Sequence, residues 1–181
     1  PLGFLLSLSW EVRNLMNSQM IEKLTISYKS YDSKEELSLL DQKLVNKSEQ
    51  ILESAYSAYS GFSVGAAALL SNGEIMAANN QENIAYPSSM CAERVLFYFC
   101  KSNFPELIIE KVAISVKSVE KVIADPISPC GSCRQTMFEY EQNQDQKIKI
   151  FLKGEIGKVF EMNSVEDLLP LAFKTDVLKR Y

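Results

Sequence analysis

Residues 90–100 read MCAERVLFYFC, and residues 128–135 read SPCGSCRQ. The first stretch places a thiol and a carboxylate ahead of an apolar helical run, and the second places two thiols three positions apart at a helix start. Residues three apart share one face of a helix, so the sulfurs of Cys130 and Cys133 are expected to lie together. Helix N-termini also favour the thiolate form. The pattern predicts metal or redox chemistry at these two cysteines and at Cys91.

Zinc is the metal that this donor set favours. Three thiolates hold Zn²⁺ and leave its fourth position open for water, as in a catalytic site. Glu93 supplies a carboxylate that can accept a proton from that water, and Arg94 supplies a positive charge beside the sulfurs. Regular helix geometry would point residues 91 and 93 to different sides, so we predict that Cys91 occupies the N-cap position. Taken alone, the Cys130–Cys133 pair also fits a redox dithiol or a structural zinc knuckle.

The position of Cys100 and the lack of histidine exclude some kinds of site. Cys100 lies nine positions after Cys91, two and a half helical turns, and we predict that it packs in the core. The chain has no histidine, which excludes Ser-His and Cys-His catalytic arrangements. With a net charge of −4, it is not expected to bind a nucleic-acid polymer. No apolar run reaches the roughly 18 residues of a membrane span.

Strands alternate with helices along the chain after an initial hairpin. The alternation of apolar side chains in KLTISY, residues 23–28, predicts a strand. A capping box at Ser33 and Glu36 predicts a helix that continues through Ala58. Residues 61–80 predict two strands around a Ser-Asn-Gly turn. This order predicts a mixed sheet with helices on its faces.

Several motifs carry a resemblance to a known family. Cys-Ala-Glu, a gap of 35 residues and Pro-Cys-x-x-Cys match the zinc deaminase signature in its three-cysteine form. Three further segments resemble those of the cytidine deaminase family: YSGFSVGAAAL at 59–69, NQENIAYP at 80–87 and DLLPLAF at 167–173. The chain, from Lys43 to Phe173, is identified as similar to the small-subunit, tetrameric branch, because the dimeric branch and the polynucleotide editors generally use a histidine ligand.

The resemblance implies a three-layer α/β/α fold with a mixed, about five-stranded central sheet. Residues 43–181 would form the catalytic domain, 21–42 an N-terminal strand and helix extension, and 1–20 a disordered or upstream extension. The implied activity is zinc-dependent hydrolytic deamination of cytidine and 2'-deoxycytidine to uridine and 2'-deoxyuridine, in a cytoplasmic homotetramer with one Zn²⁺ per subunit. Two alternatives stay open: a deaminase for another aminopyrimidine nucleoside, such as a nucleoside antibiotic, and a non-catalytic zinc or thiol-redox domain.

The resemblance also assigns roles around the substrate. Phe62 would pack on the base, and Asn80 and Glu82 would hydrogen-bond the ribose hydroxyls. The backbone N–H of Ala92 would bind the pyrimidine carbonyl, and the carbonyl of Ser128 would accept from the departing amine. Without the motif context, Phe62 reads as a core residue and Asn80 as a turn residue.

The resemblance also assigns roles to the residues of the zinc site and to residues that reach a neighbouring subunit. Cys91, Cys130 and Cys133 would hold the zinc, and Glu93 would move protons. Tyr86 and Phe173 resemble residues that family members contribute to the active site of a neighbouring subunit. Phe173 alone also reads as a core residue.

Overall fold

A six-stranded sheet organises residues 20–174, which are the residues that this computed structural model describes. Its strands are β1 (Lys29–Tyr31), β2 (Phe62–Leu70), β3 (Ile75–Asn79), β4 (Ile109–Ser118), β5 (Lys149–Lys153) and β6 (Val159–Met162). They lie in the order β1-β6-β5-β4-β2-β3. Strands β4 and β5 run parallel, and the other neighbouring pairs run antiparallel. The sheet is therefore mixed, as predicted, and has six strands rather than about five.

Within residues 20–174, three α-helices cover the two faces of this sheet: α1 (Leu39–Leu52), α2 (Ala92–Asn103) and α3 (Gly131–Asn143). Helix α1 buries Leu44 and Val45 against one face, beside Ala67 of β2. Helices α2 and α3 pack on the other face, where Ala66 and Ala68 of the same strand point. Successive side chains of a strand point to opposite faces, so one run of alanines serves both helical layers. The predicted α/β/α arrangement in three layers is confirmed.

The hairpin between β2 and β3 also forms as predicted. Its turn contains Gly73, which has φ of +85°. That left-handed conformation costs glycine little because it lacks a Cβ atom. The open end of the hairpin, formed by the start of β2 and the end of β3, lies near the start of α2, because the backbones of Gln81 and Met90 bond to each other.

The strand predicted at 23–28 is wrong in position. In the structure these residues are exposed coil, and Leu24 is 61% exposed. Pairing begins only at Lys29, where β1 joins β6 in antiparallel register and becomes the edge strand of the sheet. Tyr28 packs on Phe160 at a ring distance of 4.8 Å. Distant partners, rather than the local alternation, therefore determine where this strand forms.

The helix predicted to start after Ser33 and to continue through Ala58 is also wrong at both ends. The Glu36 carboxylate accepts from the Ser33 N–H at 3.1 Å, but this box begins only a short 3-10 turn. Helix α1 has Ser38 as its N-cap and ends at Leu52. The backbone of Tyr56 instead bonds to Asn80 and Glu82, at 3.1 and 2.9 Å. Pairing with the segment after β3 thus takes the place of further helical turns.

The remaining predictions on domains concern the ends of the chain. Residues 1–19 and 175–181 lie outside the described residues, so the prediction of an upstream extension at 1–20 stays a prediction. Residues 29–42 of the N-terminal extension join the catalytic fold through β1 and the start of α1. Within 20–174 the helices are too short or too polar to cross a membrane.

Candidate active site

Two helix N-termini bring the three cysteines of the motifs together. Cys91 is the N-cap of α2 and Cys130 is the N-cap of α3, and both have extended backbone conformations. The predicted cap position of Cys91 is confirmed. Cys133 lies three residues further along α3 and is buried. The turn into each helix thus directs a ligand toward the same point.

The spacing of the sulfurs fits a zinc ion. The Sγ atom of Cys130 lies 3.9 Å from that of Cys91 and 3.5 Å from that of Cys133. All three lie within 4.8 Å of one another. Tetrahedral zinc with Zn–S bonds of about 2.3 Å requires sulfurs about 3.8 Å apart. The three thiols therefore fit Zn²⁺ with one position left for another ligand.

Arg94 and the neighbouring thiols tune the charge of these sulfurs. A hydrogen bond with Cys133 lowers the pKa of Cys91 to about 5, and Arg94 acts in the same direction against the effect of burial. A guanidinium nitrogen of Arg94 lies 3.8 Å from the Cys91 sulfur. The hydrogen bond with Cys91, together with burial, raises the pKa of Cys133. One thiolate is thus available at neutral pH for a metal ion.

Glu93 is buried beside the sulfurs and is only partly satisfied. The residue is 4% exposed, and its buried Oε2 atom has no hydrogen-bond partner among residues 20–174. Burial raises the pKa of this carboxyl, and the charge on Cys91 adds to the effect. A buried polar atom without a partner is costly in a folded protein. Such an atom, facing a cavity next to three thiols, is poised to exchange a proton with a ligand.

A cavity of about 460 Å³ opens in front of these groups. This volume falls within the range of small-molecule sites. Its apolar wall includes Val64, Ile114 and Val116, and Glu93 and Arg94 lie at the thiol end. It is also lined by five residues that the resemblance assigns to substrate: Phe62, Asn80, Glu82, Tyr86 and Ser128.

The two polar residues assigned to ribose already form hydrogen bonds with other groups of the protein. The Asn80 amide accepts from the Val64 N–H at 2.8 Å and donates to the Phe62 carbonyl at 2.9 Å. The Glu82 carboxylate accepts from the Tyr59 N–H at 2.7 Å and from the Ser60 hydroxyl at 2.5 Å. These bonds fix both side chains at the cavity wall. Each oxygen keeps a further lone pair with which it can accept from a ligand.

Two of the assigned residues do not line this cavity. The side chain of Ala92 is fully buried in the core. Phe173 is 61% exposed, and its carbonyl accepts from the Gln135 amide at 3.1 Å. The core interpretation of Phe173 is therefore wrong. Cys100, in contrast, is buried in the core, as predicted, and burial raises its pKa to about 11.

The sequence analysis missed two polar side chains that organise the site. Ser60 joins Glu82 to the strand, because its oxygen also accepts from the Phe62 N–H at 3.0 Å. Arg134 donates to the carbonyl of Pro129, directly before a cysteine ligand. Both lie inside motifs that were recognised: Ser60 in YSGF and Arg134 in CGSCRQ. Their own role depends on partners that the local sequence does not show.

Comparisons with known proteins agree with this geometry. Residues 39–147 match the model of the cytidine and deoxycytidylate deaminase zinc-binding region. A cytidine deaminase of Sporosarcina psychrophila is 37% identical over 142 residues, covering 76% of this chain and 93% of the relative. One of Halalkalibacterium halodurans is 36% identical, covering 75% of this chain and 95% of the relative.

A solved structure extends the agreement to the fold. The crystal structure of cytidine deaminase from Burkholderia pseudomallei superposes with a TM-score of 0.62 at 31% identity. The match covers 72% of this chain and 97% of that one. The family model and the three-cysteine cluster coincide at Cys91, Cys130 and Cys133. Motifs, fold and metal-binding thiols agree, and the chain belongs to the cytidine and deoxycytidylate deaminase family.

Proposed function

We propose that the protein catalyses the zinc-dependent hydrolytic deamination of cytidine and 2'-deoxycytidine to uridine and 2'-deoxyuridine. The observation that carries this proposal is the buried Glu93 oxygen without a partner, placed beside three thiols that fit zinc at one end of the cavity. The relatives that bear the name cytidine deaminase support the choice of substrate.

Glu93 is the group that moves protons in this proposal. Zinc, held by Cys91, Cys130 and Cys133, would supply a Lewis acid that makes a water ionise near neutral pH. Glu93 accepts one proton of the attacking water and passes it to N3 of the pyrimidine ring while the oxygen bonds to C4. It then carries the second proton to the amino group, the C4–N bond breaks, and ammonia leaves. One carboxylate therefore serves first as base and then as acid.

The cavity wall supplies the contacts that hold a nucleoside in this orientation. Phe62 packs on the base, and Asn80 and Glu82 bind the ribose hydroxyls. The Ala92 backbone N–H binds the pyrimidine carbonyl, and the Ser128 carbonyl accepts from the departing amine. Support comes from the positions of four of these residues on the cavity wall. It also comes from the place of Ala92 as the first residue of α2.

Arg94 has a supporting role. Three thiolates around Zn²⁺ leave net negative charge at the site, and the guanidinium beside Cys91 offsets part of it.

We extend the proposal to a homotetramer with shared active sites. Tyr86 and Phe173 are 70% and 61% exposed, as expected of side chains that reach a neighbouring subunit. Light scattering after size-exclusion chromatography should give a mass four times that of the 20.4 kDa chain. A monomer with full activity would contradict shared sites. Reduced thiols persist in the cytoplasm, which is the compartment we propose.

The decisive experiment follows the ultraviolet absorbance of cytidine and deoxycytidine with the purified protein. Activity should be present, should disappear after the metal is removed with a chelator, and should return with zinc. Turnover of an aminopyrimidine nucleoside antibiotic, with none of cytidine, would favour the alternative substrate. Dithiol reduction activity that survives the chelator, with no deamination, would favour a thiol-redox domain.

A further inference from the structure

We infer that Arg134 is a positioning residue, which holds the loop before Cys130 in the shape that the zinc site requires and anchors it to the C-terminal segment. This inference deepens the proposed function, because it concerns the same zinc site. It assigns to Arg134 a task that its neighbour Gln135 does not share.

The geometry places the guanidinium between two carbonyl groups. The Nε atom of Arg134 donates to the Pro129 carbonyl at 2.7 Å, and a terminal nitrogen donates to the Leu168 carbonyl at 2.8 Å. The backbone N–H of Arg134 also bonds to the Cys130 carbonyl at 3.0 Å. One residue thus holds the carbonyl on each side of the Cys130 α-carbon.

The bond to Pro129 controls the position of the ligand. The peptide unit is planar, so fixing the Pro129 carbonyl also fixes the nitrogen and α-carbon of Cys130. Cys130 is exposed, and its side chain makes no capping bond to the helix. Pro129 itself has no N–H with which to anchor the loop. The Arg134 side chain therefore supplies a restraint that this part of the loop does not supply for itself.

The Leu168 carbonyl, the second acceptor of the Arg134 side chain, lies in a well-packed part of the protein. Leu168 is 5% exposed and packs in the main hydrophobic core. The turn that contains it is held at its start, where the Val165 N–H donates to Glu141 at 2.9 Å. Arginine suits the position because its planar guanidinium presents donors in fixed, divergent directions. A lysine ammonium is a single point and is not expected to satisfy both carbonyls at once.

The test measures how fast zinc leaves the protein. Zinc-loaded wild-type protein and the variants Arg134→Met and Arg134→Lys are mixed with a chromogenic chelator, and the release rate is recorded. Groups that orient metal ligands typically contribute 10- to 100-fold in metal affinity. We expect release from Arg134→Met to be at least about tenfold faster, with an intermediate rate for Arg134→Lys.

Matched measurements separate positioning from a general loss of stability. Gln135→Met removes the neighbouring bond to the Phe173 carbonyl and should release zinc at the wild-type rate. Equal release rates from wild type and Arg134→Met, with a lowered melting temperature in the variant, would overturn the inference. If Arg134→Met does not fold, Arg134→Lys decides: faster release supports the inference, and an unchanged rate overturns it.

The outcome is independent of the proposed activity. Zinc release is measured without substrate, so a wild-type protein that binds zinc but leaves cytidine unchanged would refute the proposed function while the release rates still decide the role of Arg134. Conversely, active wild type with equal release rates would leave the proposed function intact and remove only the positioning role.

Discussion

Two carboxylates, Glu93 and Glu161, are buried to nearly the same extent and are treated in opposite ways by their surroundings. The two residues are 4% and 5% exposed. Around Glu93, burial raises the pKa of the carboxyl, and one oxygen has no partner. At Glu161 burial also acts to raise the pKa, but hydrogen bonds from Tyr31, Lys149 and Lys29 outweigh it and lower the value to about 2.

The partners explain the contrast. The Glu161 carboxylate accepts from the Tyr31 hydroxyl at 2.7 Å and lies 3.0 Å from the Nζ atoms of both Lys29 and Lys149. These three donors join β1, β5 and β6 at the edge of the sheet. The buried Glu161 carboxylate has enough hydrogen-bond donors and therefore has a structural role. The buried Glu93 carboxylate does not, so one of its oxygens is left for a ligand. An oxygen of Glu155 also lacks a partner within the described residues, so it is this difference together with the place of Glu93 at the cavity, beside the thiols, that locates chemistry there.

The largest effect should come from Glu93→Gln, which keeps the shape of the side chain but removes its ability to move protons. Positioned general acids and bases contribute about 10²- to 10⁴-fold, so we expect kcat for cytidine to fall by about that factor. Zinc content, measured by metal analysis, should stay at the wild-type value. Unchanged turnover would remove the distinction between the two carboxylates. Glu120→Gln, on an exposed surface, is the matched control and should be fully active.

Glu141 sharpens the contrast because it is more buried than either of the others. The residue is 1% exposed, and its carboxylate accepts from the N–H groups of Ile148 and Val165 at 2.8 and 2.9 Å and from the Ser164 hydroxyl at 2.6 Å. In Glu141→Gln an uncharged amide replaces the carboxylate, so the two backbone N–H groups lose a charged acceptor and the Ser164 hydroxyl must turn to accept from the amide N–H₂. We expect a loss of about 3 kcal/mol in the free energy of unfolding, because hydrogen bonds to a charged group are lost in the interior.

The free energy of unfolding of zinc-loaded Glu141→Gln is measured by urea unfolding, and its melting temperature by thermal unfolding. A loss of this size should lower the melting temperature by about 6 to 12 °C in a chain of this length. The kcat per zinc-loaded, folded molecule should match wild type, since Glu141 does not line the cavity. A variant as stable as wild type would show that satisfied buried carboxylates carry no stability in this fold.

Glu161→Gln should have a smaller effect on stability. A shift of the pKa from the ordinary value to about 2 corresponds to about 3 kcal/mol. Lys29 is 61% exposed and Lys149 33% exposed, so solvent screening reduces this to about 2 kcal/mol. Unfolding at pH 7 should show that loss while kcat is unchanged. Lowered kcat at full zinc content would mean that the sheet edge and the site are coupled.

The pH dependence of stability is an independent test of the role of Glu161. A folded pKa below the unfolded value near 4.3 means that the stabilisation is fully present above about pH 5 and is lost as the pH falls toward 2. The difference in unfolding free energy between wild type and Glu161→Gln should therefore shrink as the pH is lowered from 7 to 3. A constant difference over this range would assign the loss to packing instead of charge.

Local signals explain which of these features could be predicted from the sequence. The cysteine spacing, the proline before Cys130 and the turn at Gly73 each act within a few residues, and the starts of α2 and α3, the hairpin and the ligand set follow from them. Two of the partners of Glu161, Lys29 and Tyr31, lie in β1, which precedes it by about 130 residues in the chain, and no local pattern joins β1 to β6. The same reason accounts for the misplaced strand at 23–28, since β1 is defined by its pairing with β6.

At the cavity, the motifs located residues but not their bonds. The motifs predict that Asn80 and Glu82 bind the substrate. In the structure both side chains also accept hydrogen bonds from backbone N–H groups. Arg134 was part of a recognised motif, yet its target at Leu168 lies 34 residues away. Side-chain bonds that cross between elements depend on packing, which the order of residues along the chain does not display.

Ser60→Ala should have the smallest effect and tests a carboxylate between the two extremes. Glu82 lies at the cavity, like Glu93, but has donors, like Glu161, and the Ser60 hydroxyl is the first cause that lowers its pKa. Without this hydroxyl the carboxylate keeps its bond to the Tyr59 N–H but loses the restraint on Oε1. One hydrogen bond contributes about 0.5 to 1.5 kcal/mol, so KM for cytidine should rise by about three- to tenfold.

Because the Ser60 hydroxyl is exposed and bonds to Glu82 and the Phe62 N–H rather than to a thiol, kcat and zinc content should not change in Ser60→Ala. Ser60→Thr, which keeps the hydroxyl, should recover most of the wild-type KM. If KM were unchanged in Ser60→Ala, the carboxylate of Glu82 would be held well enough by backbone donors alone. A fall in kcat with KM constant would instead place Glu82 among the groups that act on the reacting atoms, and the partly satisfied carboxylate would then belong with Glu93.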